Sequence, residues 1–158
     1  MYFINIKKLK EEIVTDSFGE GKQFIYFFLF IILNTIFIEL GSFIPLEDIT
    51  FLDYFNSLFL TVITIIGTYL MYKGNGSEKG EDFIGRYFAI TWVVFIRFLL
   101  LLVLFGILLS LIYTYTSIIA DVYFELLWSL LFYLYMILGY FYSYNHIVDI
   151  NERIKEKV

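Results

Sequence analysis

A chain of 158 residues has the length of a single domain. It is 60% hydrophobic, 22% aromatic and only 17% charged, whereas a soluble domain is roughly 45–50% apolar and about 25% charged. A soluble globule of this size cannot bury so much apolar surface, which excludes a soluble enzyme, a nucleic-acid binder and a disordered chain. What remains is an all-α integral membrane protein. The net charge of −5 also opposes nucleic acid as a partner. There is no Cys, so disulfides, thiolate catalysis and Cys-bound metals are out. One His, His146, is too few for a His-rich metal site, and no cofactor is expected.

The chain opens with a polar segment, 1–22. Tyr2, Ile6, Leu9 and Ile13 recur at helical spacing, with Lys7, Lys8, Lys10, Glu11 and Glu12 between them. That stripe predicts a short amphipathic helix, lying on the membrane or packed against another helix. Gly19 and Gly21 are expected to break it. Four stretches then reach the ~20 apolar residues a membrane span needs: 24–44, 51–72, 87–111 and 124–142. They are continuous, unlike the ~10-residue alternating segments of a β-barrel. The first is not a cleavable signal peptide, because no A-x-A-like site follows it. The tail, 143–158, repeats the amphipathic pattern with Ile147, Ile150, Ile154 and Val158. The expected architecture is a four-helix transmembrane bundle with an amphipathic helix at each end.

Basic residues set the orientation. The segments outside the spans carry four, none, three, none and three Lys or Arg in chain order. The positive-inside rule then puts both termini in the cytoplasm, with a bacterial inner (plasma) membrane as the expected location. Tyr69, Tyr72, Tyr87, Tyr140, Tyr142 and Tyr144 fall near one interface, and Tyr54, Tyr113, Tyr115 and Tyr123 near the other, the depth this side chain prefers. The 73–86 connection, KGNGSEKGEDFIGR, reads as a flexible Gly-rich linker. It is not a phosphate loop, since the order is KG and no strand precedes it. Its N-x-S at Asn75 faces the side where glycosylation does not occur.

Polar residues inside spans carry the functional information. Arg97 lies ten residues into the third span, about 15 Å deep at 1.5 Å per residue. It needs a partner from another helix, and Asn34 and Glu39 on the first span are the best matched in depth. On the second span Asp53, Ser57, Thr61, Thr64, Thr68 and Tyr72 share one helical face. Glu125, Ser129, Tyr133, Tyr140 and Ser143 form a weaker stripe on the fourth. A hydroxyl face can line a wet path or pack helices. Gly106 and Ser110 make a small-xxx-small pair about 180° round the third span from Arg97. Two protein-facing sides on one helix favour a homo-oligomer. Glu47, Asp48, Asp53, Asp121 and Glu125 give an acidic outer mouth that attracts cations.

No catalytic constellation is visible, because the single His lies on the side away from the outer acids. The expected function is non-enzymatic: an ion-conducting or membrane-permeabilising homo-oligomer in the lipid bilayer, with its path along the second span. The alternative is a scaffold or anchor subunit whose loop and tails dock a cytoplasmic protein partner.

Overall fold

Local capping chemistry starts the first and third helices. Asn5 Oδ1 accepts from the Lys8 N–H at 3.1 Å and satisfies a first-turn donor of α1 (Ile6–Val14). After α2 (Glu20–Ser42), helix α3 (Phe51–Gly74) opens on a capping box. Thr50 Oγ1 accepts from the Asp53 N–H, and Asp53 Oδ2 accepts from the Thr50 N–H at 2.8 Å. A 3₁₀ turn at Ser77–Lys79 leads into α4 (Phe83–Thr116) and α5 (Asp121–Lys155). The computed structural model describes residues 2, 4–43, 50–116 and 121–157, and at 41, 42, 115, 116, 121 and 122 the backbone alone. Among the described residues there are five α-helices and no strand.

Helices α2 to α5 are each long and apolar enough to cross a membrane. Their flanks are greasy on most sides, with Ile38 73% and Leu58 65% exposed, a surface that water does not tolerate over such an area. Helices α4 and α5 run well past the expected spans, to 34 and 35 residues. The tail is therefore not a separate amphipathic helix. It is the last turns of α5, because neither Gly nor Pro interrupts the chain between Phe141 and Lys155.

The long helices form a row. α2 packs on α4, α4 on α5, and α5 on α3. α2 runs parallel to α4: Gln23 Nε2 donates to Asp82 Oδ2 at 2.6 Å, and Phe27 and Phe30 meet the Phe88 ring. α4 runs antiparallel to α5, through Phe95 on Tyr140 and Tyr113 on Phe124. α3 runs parallel to α5, through Phe59 on Tyr133 and Asn151 Nδ2 donating to the Gly74 carbonyl. α2 and α3 thus flank the row without an extensive contact between them, although they are consecutive in the chain.

Both chain ends meet at one end of the row, here called the terminal end, where Lys157 Nζ donates to the Val14 carbonyl. The tight core is there. Leu9, Met71, Ala89, Ile90, Ile147 and Ile150 are all fully buried. The stripe of α1 is spent on α4 and α5, so the two amphipathic segments pair with each other. Lys10 with Asp149 at 2.7 Å and Lys22 with Glu12 at 2.8 Å close the rim.

The 73–86 connection is likewise not a flexible linker. Asn75 is 0% exposed; its Nδ2 donates to the Glu81 carbonyl, and its Oδ1 accepts from Arg86 Nη1 at 3.0 Å. Gly76 supplies the left-handed turn at φ +101°. An amide this enclosed is closed to glycosylation.

Candidate functional site

Arg97 does find polar company, but from a segment that helix-depth matching did not consider. Its Nη2 donates to the carbonyl of Ile4. Residue 4 lies outside any helix, and its carbonyl also accepts from the Ile6 N–H at 3.1 Å, using its second lone pair for Arg97. The side chain reaches it because Cβ atoms lean toward a helix N-terminus, and the α4 N-terminus lies at the terminal end. Asn34 instead donates to the Phe30 carbonyl at 2.8 Å, within its own helix, and Glu39 stands exposed further along α2. The structure thus sets Arg97 against the N-terminal segment, away from Asn34.

The α3 stripe divides by position. Asp53 is consumed by the capping box. Ser57 and Thr61 are exposed, and Thr61 Oγ1 donates back to the Ser57 carbonyl at 2.8 Å. Thr64 is exposed and lines a cavity. Thr68 Oγ1 lies 3.3 Å from the Tyr87 hydroxyl of α4. The stripe therefore borders the open side of the row, and within one chain it encloses no path. The α5 stripe packs: Asn56 Nδ2 donates to Ser129 Oγ at 3.3 Å, and the Tyr133 hydroxyl donates to Asn56 Oδ1. Ser143 is fully buried.

Gly106 acts as expected of a small residue, since the Trp128 ring of α5 sits where its Cβ would be. Ser110 is half-buried, and its carbonyl accepts from Thr114 Oγ1 at 2.9 Å. Gly106 is covered by Trp128 within the chain, whereas Arg97 stays exposed on the other side of α4 with the Ile4 carbonyl as acceptor. Of the acidic mouth, Glu47 and Asp48 lie outside the described residues, Asp121 is described by backbone alone, and Glu125 is exposed.

Sequence reasoning missed three features. Asn56, a polar residue inside a span, was itself the available signal. Gly67 and Gly74 admit the Tyr140 ring and the Tyr144 and Val148 side chains of α5 against the α3 backbone, and their seven-residue spacing marks one helix face. The third is a cavity of about 640 Å³ between α2, α3, α4 and α5. Phe37, Leu99, Leu102 and Phe132 line its apolar part, with Asn34, Thr64, Tyr87 and Trp92 as polar contributors. The space is open at the flank of the row, where α2 and α3 make no extensive contact. The chain matches no family model, no curated protein and no solved structure. Its function has to be read from these positions alone.

Proposed function

We propose that this is a non-catalytic, homo-oligomeric integral membrane protein with both termini in the cytoplasm, which passes ions or permeabilises the bilayer along a path bordered by α3. The observation that carries this reading is the outward exposure of Ser57, Thr61 and Thr64 after α5 has taken the neighbouring face of α3. A second copy covering that face would turn the hydroxyls inward. The competing scaffold reading needs free docking elements. The apolar face of α1 and the 73–86 connection are both engaged inside the chain, which leaves it little to dock with. Arg97, tied to Ile4, fixes the N-terminal segment on α4 in this reading.

The test is cation flux from liposomes carrying the purified protein. Thr61→Leu and Thr64→Leu are expected to cut flux by about tenfold each, the effect of losing ~1.4 kcal/mol of stabilisation on the path. Thr35→Leu, on the exposed flank of α2, should leave it unchanged. Absence of flux at any voltage or pH overturns the reading, as does flux indifferent to the α3 changes. Because the chain has no Cys, Ser57→Cys should yield an interchain disulfide, and Gly19→Cys should react with an impermeant thiol reagent from the cytoplasmic side only.

A further inference from the structure

We infer that Arg97 holds the phosphate of an anionic bilayer phospholipid whose acyl chains run along α4 beyond it. The inference stands whether or not α3 borders an ion path. Arg97 is exposed, and its one hydrogen bond among the described residues goes to the Ile4 carbonyl. A guanidinium carries five N–H donors, so most of them remain to be matched. None of the ion pairs among the described residues includes it. Asp149 is taken by Lys10 and Glu12 by Lys22. An arginine on a membrane helix is costly without a counter-charge. At a bilayer edge the available anion is a lipid phosphate, which the planar guanidinium fork fits.

Depth and helix face both fit a lipid. From Phe98 to Thr116, α4 adds about 28 Å at 1.5 Å per residue, nearly the ~30 Å of a hydrocarbon core. Arg97 then stands at the edge of the hydrocarbon rather than at its middle, because α4 runs past Leu111, where the span was expected to end. On α5 the same level is marked by Tyr142, whose ring meets Phe98 at 5.4 Å. Polar residues resume just beyond it, at Asn145, His146 and Asp149. Ile90, Val93, Arg97, Leu101, Leu104 and Leu108 follow one face of α4 at helical spacing. Ile90 and Val93 are fully buried, in the stretch that α1 covers, whereas the three leucines are exposed. Arg97 is where that cover stops. A lipid there continues the face end to end with the N-terminal segment, its phosphate on the guanidinium and its chains on the leucines. Lys7 and Lys8, exposed on the first turn of α1, add positive charge at the same end. They favour an anionic head and repel the ammonium of a zwitterionic one.

The test is native mass spectrometry of the whole chain in a non-ionic detergent, with phosphatidylglycerol and phosphatidylcholine of matched chains as probes. The protein should retain a single phosphatidylglycerol with at least about tenfold preference over phosphatidylcholine, the factor set by ~1.4 kcal/mol. Arg97→Gln should abolish that preference. Lys73→Gln, which removes the same charge from α3 where Lys73 lies over the Tyr69 ring, should leave it unchanged. Leu101→Glu sets a carboxylate one turn from Arg97 and should displace the lipid, so it decides if Arg97→Gln fails to fold. Glycerol phosphate at the same concentration should not compete, since it lacks the chains. Equal retention of the two lipids overturns the inference. So does a preference that survives Arg97→Gln or, where that variant does not fold, Leu101→Glu. Competition by glycerol phosphate also overturns it, as the mark of a soluble-anion site. So does a lipid-free oligomer that Arg97→Gln dissociates, the outcome expected if an acid of a second copy pairs with Arg97.

Discussion

Helix α4 passes through two surroundings. From Ala89 to Val94 every residue is buried, with α1, α2 and α5 packed around it. Beyond Leu100 most of its large side chains are exposed, and Gly106 is the buried exception. The sequence is as apolar in one stretch as in the other, so hydrophobicity does not explain the difference. Burial is driven by escape from water, and a Leu in contact with lipid gains almost nothing by moving onto another helix. The terminal end is closed as a water-facing domain would be, around α1. The far half is held by small-residue contacts and aromatic rings, and it leaves a cavity. The ion pairs Lys10–Asp149 and Lys22–Glu12 and the buried Asn75–Arg86 bond fall at the terminal end too.

The widest test of that division replaces equivalent leucines in the two regions. Leu9 is fully buried at the terminal end, and Leu104 is 54% exposed in the far half. Leu9→Ala is expected to cost about 2–5 kcal/mol, and Leu104→Ala less than about 0.5 kcal/mol, read from thermal unfolding in detergent. Equal losses would erase the distinction. In the far half the sensitive positions should be the small ones. Gly106→Leu drives a side chain into the space of the Trp128 ring and should cost about 1–3 kcal/mol, with a change in Trp emission as that ring is displaced. Asn75→Ala should cost about 1–3 kcal/mol, since it leaves the buried Arg86 guanidinium without its amide partner.

Legibility in the sequence follows the same boundary. The four long apolar helices were legible because the bilayer demands length and continuous hydrophobicity, and those are properties of single segments. Gly106 was legible because a small residue in a span serves close approach wherever its partner comes from. The partner of Arg97 was sought at matching depth on another span, whereas the side chain is exposed and donates to the Ile4 carbonyl. The carbonyl of Ile4 belongs to a segment whose position depends on how α1 docks, and periodicity carries no information on that. The 73–86 connection shows the converse. Its glycines read as flexibility, whereas Gly76 serves a fixed left-handed turn around buried Asn75. The cavity was illegible because it arises from two neighbours, α2 and α3, failing to pack, which no local pattern records.

The smallest expected effect is also the most specific to the terminal end. Lys22 Nζ donates to Glu12 Oε1 at 2.8 Å and the Tyr2 hydroxyl donates to the same oxygen at 3.0 Å. The Lys22 bond, with the Tyr2 bond behind it, holds the Glu12 carboxyl below its ordinary value against the opposing pull of burial. An acid depressed in the folded state stabilises above its unfolded pKa, about 4.3 for Glu, and that contribution is lost as pH falls through the lower folded value. Acid should therefore loosen α1 from Lys22 of α2 and from Tyr2 below about pH 4.3. The readout is amide-exchange protection of α1 relative to α3 in the same sample, so that the intrinsic pH dependence of exchange cancels. Glu12→Gln should flatten the profile, and added salt should shrink it, because the pair is partly exposed and screened. Residues 100–111 of α4, which carry no titratable group, should show no such step. If they did, the two halves of the helix would share one cooperative unit, and the boundary near Arg97 would be only a change in packing.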